Sequence, residues 1–178
     1  MHFYPNGTLF SDAIDMIREA GLAAEADELT ELLRKHVTQI RTIGLCYPPH
    51  EVRFEQTIAT PAVAIPAAFY DRIDADPEIL RDIAVQLDVL SRFSGNQPDY
   101  RLNEIPIRHW DEFWFGKRHL YGDTFPHYLS CLTARAYWLY SKISGEVIYR
   151  EKARKCLRNC LCVFSPDGTA SCAYLYPF

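Results

Sequence analysis

Residues 126–163 read PHYLSCLTARAYWLYSKISGEVIYREKARKCLRNCLCV, and this stretch determines the fold class. From Pro126 to Tyr140 the pattern is apolar on nearly every side, which is typical of a helix that is buried all round. Gly145 predicts a turn, and Val147–Val163 then shows an amphipathic helical pattern with a basic outer face. The stretch therefore predicts a helical hairpin with one buried and one half-exposed member.

The same pattern occurs seventy residues earlier in the chain. Glu51–Asp74 is apolar almost all round, although Pro61 and Pro66 weaken the helix prediction because an interior proline removes a hydrogen bond. An amphipathic helix is then predicted to begin at Pro77, after a capping aspartate, and to end before Gly95. Two copies of this pattern indicate repeated hairpins.

Two further helices are predicted near the N-terminus, one ending at Ala20 after a cap at Ser11 or Asp12, and one over Ala23–Ile43. Hairpins that alternate buried and half-exposed members indicate concentric layers, with inner helices surrounded by outer ones. An ordinary bundle would more often have every helix amphipathic. We therefore predict an all-α fold of helical hairpins arranged as a partial (α/α) toroid, in a single domain over residues 1–178.

Charge and composition argue against several classes of function. A net charge of −4 and a pI of about 5.8 disfavour a nucleic-acid partner. No apolar run is long enough to span a bilayer, so we expect no membrane association. The N-terminus lacks a signal-peptide pattern, which predicts a cytoplasmic protein. The six cysteines form no C-x-x-C pair, so we expect buried, reduced thiols, no metal site and no cofactor.

A second informative stretch, Ile105–Tyr128, reads IPIRHWDEFWFGKRHLYGDTFPHY and is called the aromatic stretch below. It contains two tryptophans, three histidines and two aspartates, and it shows neither helical nor strand periodicity. We expect an ordered loop, for which two interpretations are open. Its rings and charges could face a common space, as in a sugar-binding site, or they could form an aromatic cap that closes the core.

Several segments resemble those of a group of bacterial six-hairpin proteins. They are residues 51–58 (EVRFEQTI), 97–100 (QPDY), 108–117 (RHWDEFWFGK) and 122–128 (GDTFPHY). From about Tyr47 onward the chain is similar to the six-hairpin glycosidases of the (α/α)6-toroid superfamily, which include the unsaturated glucuronyl hydrolases. The group has glycine where this chain has Glu112, and a complete toroid has six hairpins where this sequence shows about three. The resemblance thus implies a shortened relative, or about half of a larger assembly.

Glycoside hydrolysis in this superfamily uses an aspartate at the mouth of the toroid as general acid, and Asp111 is the candidate for that role here. Its flanking rings, Trp110 and residues 113–115, would reduce its solvation and raise the pKa of its carboxyl group. Asp123 and Glu55 are candidates for the second carboxylate that this reaction usually needs. Asp123 could instead serve as a helix cap.

Neighbouring residues are candidates for substrate contacts. Glu51 and Glu55 are four residues apart and would share a helix face, where they could equally serve only to cap the helix and to complement its dipole. An Arg fork suits a uronate carboxylate, and aromatic rings can stack on sugar faces or simply pack in a core. The substrate-binding candidates are Glu51, Arg108, His109, Trp110, Trp114, Tyr121 and His127.

These patterns predict a carbohydrate-active protein that hydrolyses or binds an oligosaccharide, including one that contains a uronic acid. If the chain is an enzyme, the predicted class is glycoside hydrolase. Two alternatives are open. One is a catalytically silent helical-hairpin module that binds a sugar or a protein. The other is a truncated glycosidase fragment whose exposed apolar edge must dimerise or aggregate, and a homodimer would join two half-toroids into one ring.

Overall fold

A computed structural model of the chain describes residues 9–43, 56–91, 94–95, 105–106, 109–110, 113–114, 123–125, 130–161, 164–170 and 174–176. These residues form six helices: α1 (Phe10–Glu19), α2 (Ala23–Ile43), α3 (Gln56–Arg72), α4 (Pro77–Ser91), α5 (Ser130–Ser144) and α6 (Val147–Cys160). They also form short strands: β1 (Ser94–Gly95), β2 (Ile105–Pro106), β3 (His109–Trp110), β4 (Phe113–Trp114), β5 (Asp123–Phe125) and β6 (Tyr174–Tyr176). Since each strand has only two or three residues, the predicted all-α class is confirmed.

The helices pair into three hairpins, α1/α2, α3/α4 and α5/α6, and α3 lies against α5. Near their first turns, the hydroxyls of Thr60 and Thr133 are 3.5 Å apart. Near their last turns, Lys142 Nζ donates to Asp71 at 2.6 Å. Because both contacts occur in the same order along the two helices, α3 and α5 run parallel and form an inner layer.

The outer helices also share one direction. Arg34 on α2 pairs with Asp74, just before α4, and Arg41 pairs with Asp82 on α4. These pairs follow the same order on both elements, so α2 and α4 run parallel. α4 and α6 are each antiparallel to the inner helix that precedes them. Because the inner helices α3 and α5 are parallel, α6 runs in the same direction as α2 and α4. The predicted partial (α/α) toroid of helical hairpins is thereby confirmed, whereas its extent as half of a six-hairpin ring stays a prediction.

The core is centred on α3. Every residue from Thr60 to Phe69 is buried, as the apolar pattern of this stretch predicts. Pro61 and Pro66 lie within one continuous helix, although an interior proline costs a helix about 3 kcal/mol. Contacts with α1, α2, α4 and α5 surround α3 and offset this cost.

Turn and cap chemistry is confirmed at some helix ends and wrong at one. Gly21 and Gly145 adopt φ of +82° and +78°, the left-handed conformation that ends α1 and α5. Asp76 caps α4, because its carboxylate accepts the backbone N–H of Glu78 at 2.9 Å. The predicted cap at Ser11 or Asp12 is wrong, since the N-cap of α1 is Leu9, two or three residues earlier, and it makes no side-chain cap bond.

The prediction that α5 is buried on all sides is wrong at one face. Trp138 is 52% exposed and Cys131 is exposed, whereas Tyr137 is fully buried. The exposed face lies at the edge of the last hairpin, where the repeat pattern alone does not show whether another helix follows. The prediction of buried thiols holds for Cys156 and fails for Cys131.

Within the described helices, no segment has the length and apolarity that a bilayer crossing requires.

Candidate functional site

Short antiparallel strand pairs anchor the aromatic stretch. β1 pairs with β2 and joins the start of the stretch to the residues after α4. β3 pairs with β4 inside the stretch, and β5 pairs with β6 near the C-terminus. The stretch was predicted as a loop without strand periodicity, and the structure corrects this at the paired residues. Strands of two or three residues are too short to give an alternating pattern.

Four of the predicted site residues lie in these strands. The backbone of His109 is paired with that of Trp114, and Trp110 is the second residue of β3. Asp123 is the first residue of β5 and is paired with Tyr176. The other candidates lie outside the described residues, and their roles stay predictions. They are Glu51, Glu55, Arg108, Asp111, Tyr121 and His127.

Two of the candidates are close in sequence to helix starts that share one end of the helical layers. Because α3 and α5 run parallel, their first residues, Gln56 and Ser130, lie at the same end. In sequence, Glu55 immediately precedes α3 and His127 precedes α5 by three residues. The antiparallel helix α4 also ends there, and β2 contacts α5. The topology is therefore compatible with one shared site at this end.

A charged cluster links the first hairpin to both inner helices. The carboxylate of Asp12 accepts hydrogen bonds from Arg72 at 2.7 Å and from Arg135 at 2.8 Å, and Arg72 also pairs with Asp15 at 2.9 Å. Burial alone would raise the pKa of Asp12, but the bonds from Arg135 and Arg72 outweigh it and hold the pKa below its usual 3.8. The sequence gives no sign of this cluster, because it joins residues that are far apart along the chain.

The Asp12 cluster predicts a pH-dependent loss of stability. Since the folded-state pKa of Asp12 lies below 3.8, its ionised form stabilises the fold above about pH 3.8, and that contribution disappears as pH falls through the folded-state value. We expect Asp12→Asn to cost about 1 kcal/mol near neutral pH, a modest value because the side chain is 35% exposed and water screens its pairs. Urea unfolding of both proteins near neutral pH and below about pH 3 measures the difference.

Asp27→Asn is the matched control. Asp27 pairs with Arg18 at 3.2 Å but is 74% exposed, so we expect a change within about 0.5 kcal/mol at either pH. An equal cost of Asp12→Asn at both pH values would contradict the prediction, because the loss would then not depend on the charge of Asp12.

A cluster of tyrosines joins α5 to α6 and is unsuited to proton transfer. The rings of Tyr140 and Tyr149 meet edge to face with centroids 4.9 Å apart. Burial, together with a hydrogen bond to Glu146 at 3.0 Å, raises the pKa of Tyr140 to about 12. Tyr140 is therefore a neutral structural donor at physiological pH, and we assign it no part in the chemistry.

An apolar groove of about 560 Å³ lies between α5 and α6. Its lining residues are Cys131, Ala134, Arg135, Trp138, Ala153, Arg154 and Leu157. The apolar pattern of α5 predicts no groove here, because it is typical of a helix that is buried all round. Arg135 and Lys142, three residues before and four residues after Trp138, are the signal that could have revealed an exposed stripe.

Among the described residues, no group of three or more histidine, cysteine, aspartate and glutamate side chains could hold a metal ion.

Comparison with solved structures finds a likeness over nearly the whole of this chain. The chain superposes on a polysaccharide lyase with a TM-score of 0.78 and 43% sequence identity, over 92% of its own length. It spans only 24% of the length of that lyase. No family model matches the chain, and no curated protein matches it. The likeness thus extends over nearly all of this chain but concerns only about a quarter of the lyase.

Proposed function

We propose that this chain is the helical-hairpin part of a carbohydrate-active protein that acts on an oligosaccharide containing a uronic acid. The single observation that carries this proposal is the 43% identity and 0.78 TM-score to a polysaccharide lyase over 92% of the chain. An identity this high supports similarity of function as well as of fold. Membership of the six-hairpin glycosidase superfamily and a cytoplasmic location belong to the same proposal, and both rest on the sequence patterns.

Lyase chemistry explains why a uronic acid is the favoured substrate. In an elimination, a base removes the proton from C5 of the sugar, and its electron pair forms a double bond to C4. The C4–O glycosidic bond breaks, and the leaving oxygen receives a proton. The proton on C5 is acidic enough only when an adjacent carboxyl group can accept negative charge, and a cation or hydrogen-bond donors can stabilise that charge.

The aromatic stretch contains residue types that suit each of these steps. An arginine fork binds a carboxylate in a bidentate manner, and Arg108 is the candidate. A histidine or a tyrosine with a pKa near the working pH can remove the C5 proton, and His109, His127 and Tyr121 are the candidates. This assignment uses the same residues that the sequence analysis selected for sugar binding, and adds a catalytic role for one of them.

Hydrolysis is the alternative reaction at the same site. It is favoured by the aromatic residues on both sides of Asp111, which suit a carboxylic acid with a raised pKa, and by Asp123 or Glu55 as second carboxylate. A catalytically silent sugar-binding module is the second candidate function. It is favoured by the fact that the chain spans 24% of the lyase, so that most of that enzyme has no counterpart here.

Products distinguish these proposals. The chain is incubated with a panel of uronate-containing polysaccharides, and two signals are followed: new reducing ends and the ultraviolet absorbance of a double bond conjugated to a carboxylate. We expect both signals to rise together, with no heavy oxygen incorporated from labelled water. Reducing ends without absorbance would favour hydrolysis. Thermal stabilisation by the sugar with neither signal would favour the silent module, and no effect of any sugar would refute the proposal.

A further inference from the structure

Exposed apolar side chains are concentrated at the hairpins on either side of the central one, α1/α2 and α5/α6. Among the described side chains, eleven of the twelve large hydrophobic residues that are exposed belong to α1/α2, to α5/α6 or to the residues flanking them. Val85 on α4 is the exception in the central hairpin. Scattered exposed hydrophobics need no explanation, but a concentration at both ends of one layer indicates surfaces that a further element covers.

The seventy-residue repeat shows what kind of element fits the α5/α6 edge. α4 begins at Pro77 and α6 at Val147, so residues of the two outer helices correspond on a shift of seventy. Ala68 and Leu87, in the central hairpin, are each 1% exposed. Their equivalents Trp138 and Leu157 are 52% and 54% exposed and line the groove. Corresponding positions are therefore buried in the central hairpin and exposed in the α5/α6 hairpin, which presents an apolar surface beside its basic residues.

The charges on α6 indicate what kind of helix would pack against the groove. α6 carries five basic residues and one acidic residue. Arg150, Arg154, Leu157 and Leu161 follow one another at helical spacing, and all four are exposed. A helix that packs along this stripe should be acidic where α6 is basic and apolar where α6 is apolar.

The first hairpin of the same chain has this complementary pattern. Residues 23–33 of α2 contain four acidic residues and no basic residue. Glu25, Glu28 and Leu32 share one face of α2, and Leu32 is 54% exposed. Since the outer helices of this fold run parallel, α2 of another copy would meet α6 in the same direction. The two glutamates would then face Arg150 and Arg154, and Leu32 would face Leu157.

We propose that the α5/α6 groove is a docking site for the α1/α2 hairpin of a second copy of this chain. A twofold rotation places the groove of one protomer on the first hairpin of its partner and repeats the same contact on the other side. The two contacts close a ring of six hairpins and leave no open edge. Burial, charge and the repeat support this dimer independently of the proposed function.

The proposal is tested with two variants, each of which disrupts one of the two surfaces that would meet in the dimer. Leu157→Glu places a negative charge in the groove, and Leu32→Glu places one on the first hairpin. We expect the unmodified chain to have the mass of two chains by light scattering on a sizing column. Each variant alone should have the mass of one chain, with a dissociation constant raised at least about 100-fold.

Mixing the two variants is the decisive step. A mixed dimer has both substitutions in one contact and none in the other, so the equimolar mixture should regain the mass of two chains. If α5/α6 pairs with itself instead, Leu32→Glu alone would remain dimeric and mixing would rescue nothing, which would overturn the proposal.

Val85→Glu is the matched control, because Val85 is 62% exposed in the central hairpin. We expect its dissociation constant to stay within about threefold of that of the unmodified chain. Far-ultraviolet circular dichroism checks that every variant is folded, and exposed positions should tolerate the change. A single-chain mass for the unmodified protein at high concentration, large aggregates, or equal disruption by Val85→Glu would each refute the proposed docking.

Discussion

Phe69→Ala is expected to lower the free energy of unfolding by about 3–5 kcal/mol. Phe69 is 1% exposed and lies in α3, which contacts α1, α2, α4 and α5. The guanidinium of Arg34 lies 5.2 Å from the centre of its ring. Because interiors are close-packed, four surrounding elements cannot all move in to fill the cavity. Urea unfolding followed by circular dichroism, at one fixed protein concentration in case of dimerisation, measures the loss.

Val85→Ala provides the control for this measurement. Val85 lies on α4, which packs against α3, but it is 62% exposed. Removing its two methyl groups should change the free energy of unfolding by no more than about 0.5 kcal/mol. A cost for Phe69→Ala as small as that of Val85→Ala would show that α3 is not the centre of the core.

The helices could be predicted because their signal is local. The amphipathic pattern over Ala23–Ile43 gives α2 with the bounds that the structure has, since each turn carries its own part of the pattern. The buried helix α3 was predicted in spite of Pro61 and Pro66, because an unbroken apolar surface outweighs two missing donors once other helices surround it.

The exposure of α5 could not be predicted in the same way. Trp138 has the composition of a core residue, and its repeat-equivalent Ala68 is buried. Arg135 and Lys142 are the only charged residues of α5 that flank Trp138 at helical spacing, and they are a weak signal beside the apolar residues of this helix. The open edge is therefore a property of the arrangement of hairpins, and the groove that results from it carries the inference about a second copy.

For the candidate site, the sequence supplies residue types but not the strand pairing around them. The aromatic and charged residues of the candidate site can be recognised in the sequence. The strand pairs next to them join distant parts of the chain, such as Asp123 with Tyr176. No local pattern specifies such a register. The two proposed reactions would use different residues: hydrolysis would need Asp111 as the acid, whereas elimination would need Arg108 and a neutral base.

Arg108→Ala is expected to weaken the binding of a uronate oligosaccharide about 10- to 100-fold, because the substitution removes a charge-assisted fork on the carboxylate. The matched ligand is the same oligosaccharide with its carboxyl groups reduced to alcohols, and its affinity should be unchanged. Arg158→Ala, on the exposed face of α6, is the matched control variant and should alter neither affinity. Isothermal titration calorimetry measures the affinity of each of the two variants for each of the two ligands. This measurement does not require the chain to have activity.

In any preparation with turnover, the same substitution separates the two reactions. Elimination needs the cation to stabilise charge that develops next to C5, so Arg108→Ala should lower the turnover number by at least about 100-fold even at saturating substrate. Asp111→Asn should then leave most of the ultraviolet product intact. Hydrolysis predicts the reverse: Asp111→Asn would lower turnover about 100- to 10,000-fold, since it removes the general acid, while Arg108→Ala would act mainly through affinity. If both variants kept full turnover, neither Arg108 nor Asp111 would take part in the reaction, and these two residues would be better explained as part of the cap that closes the core.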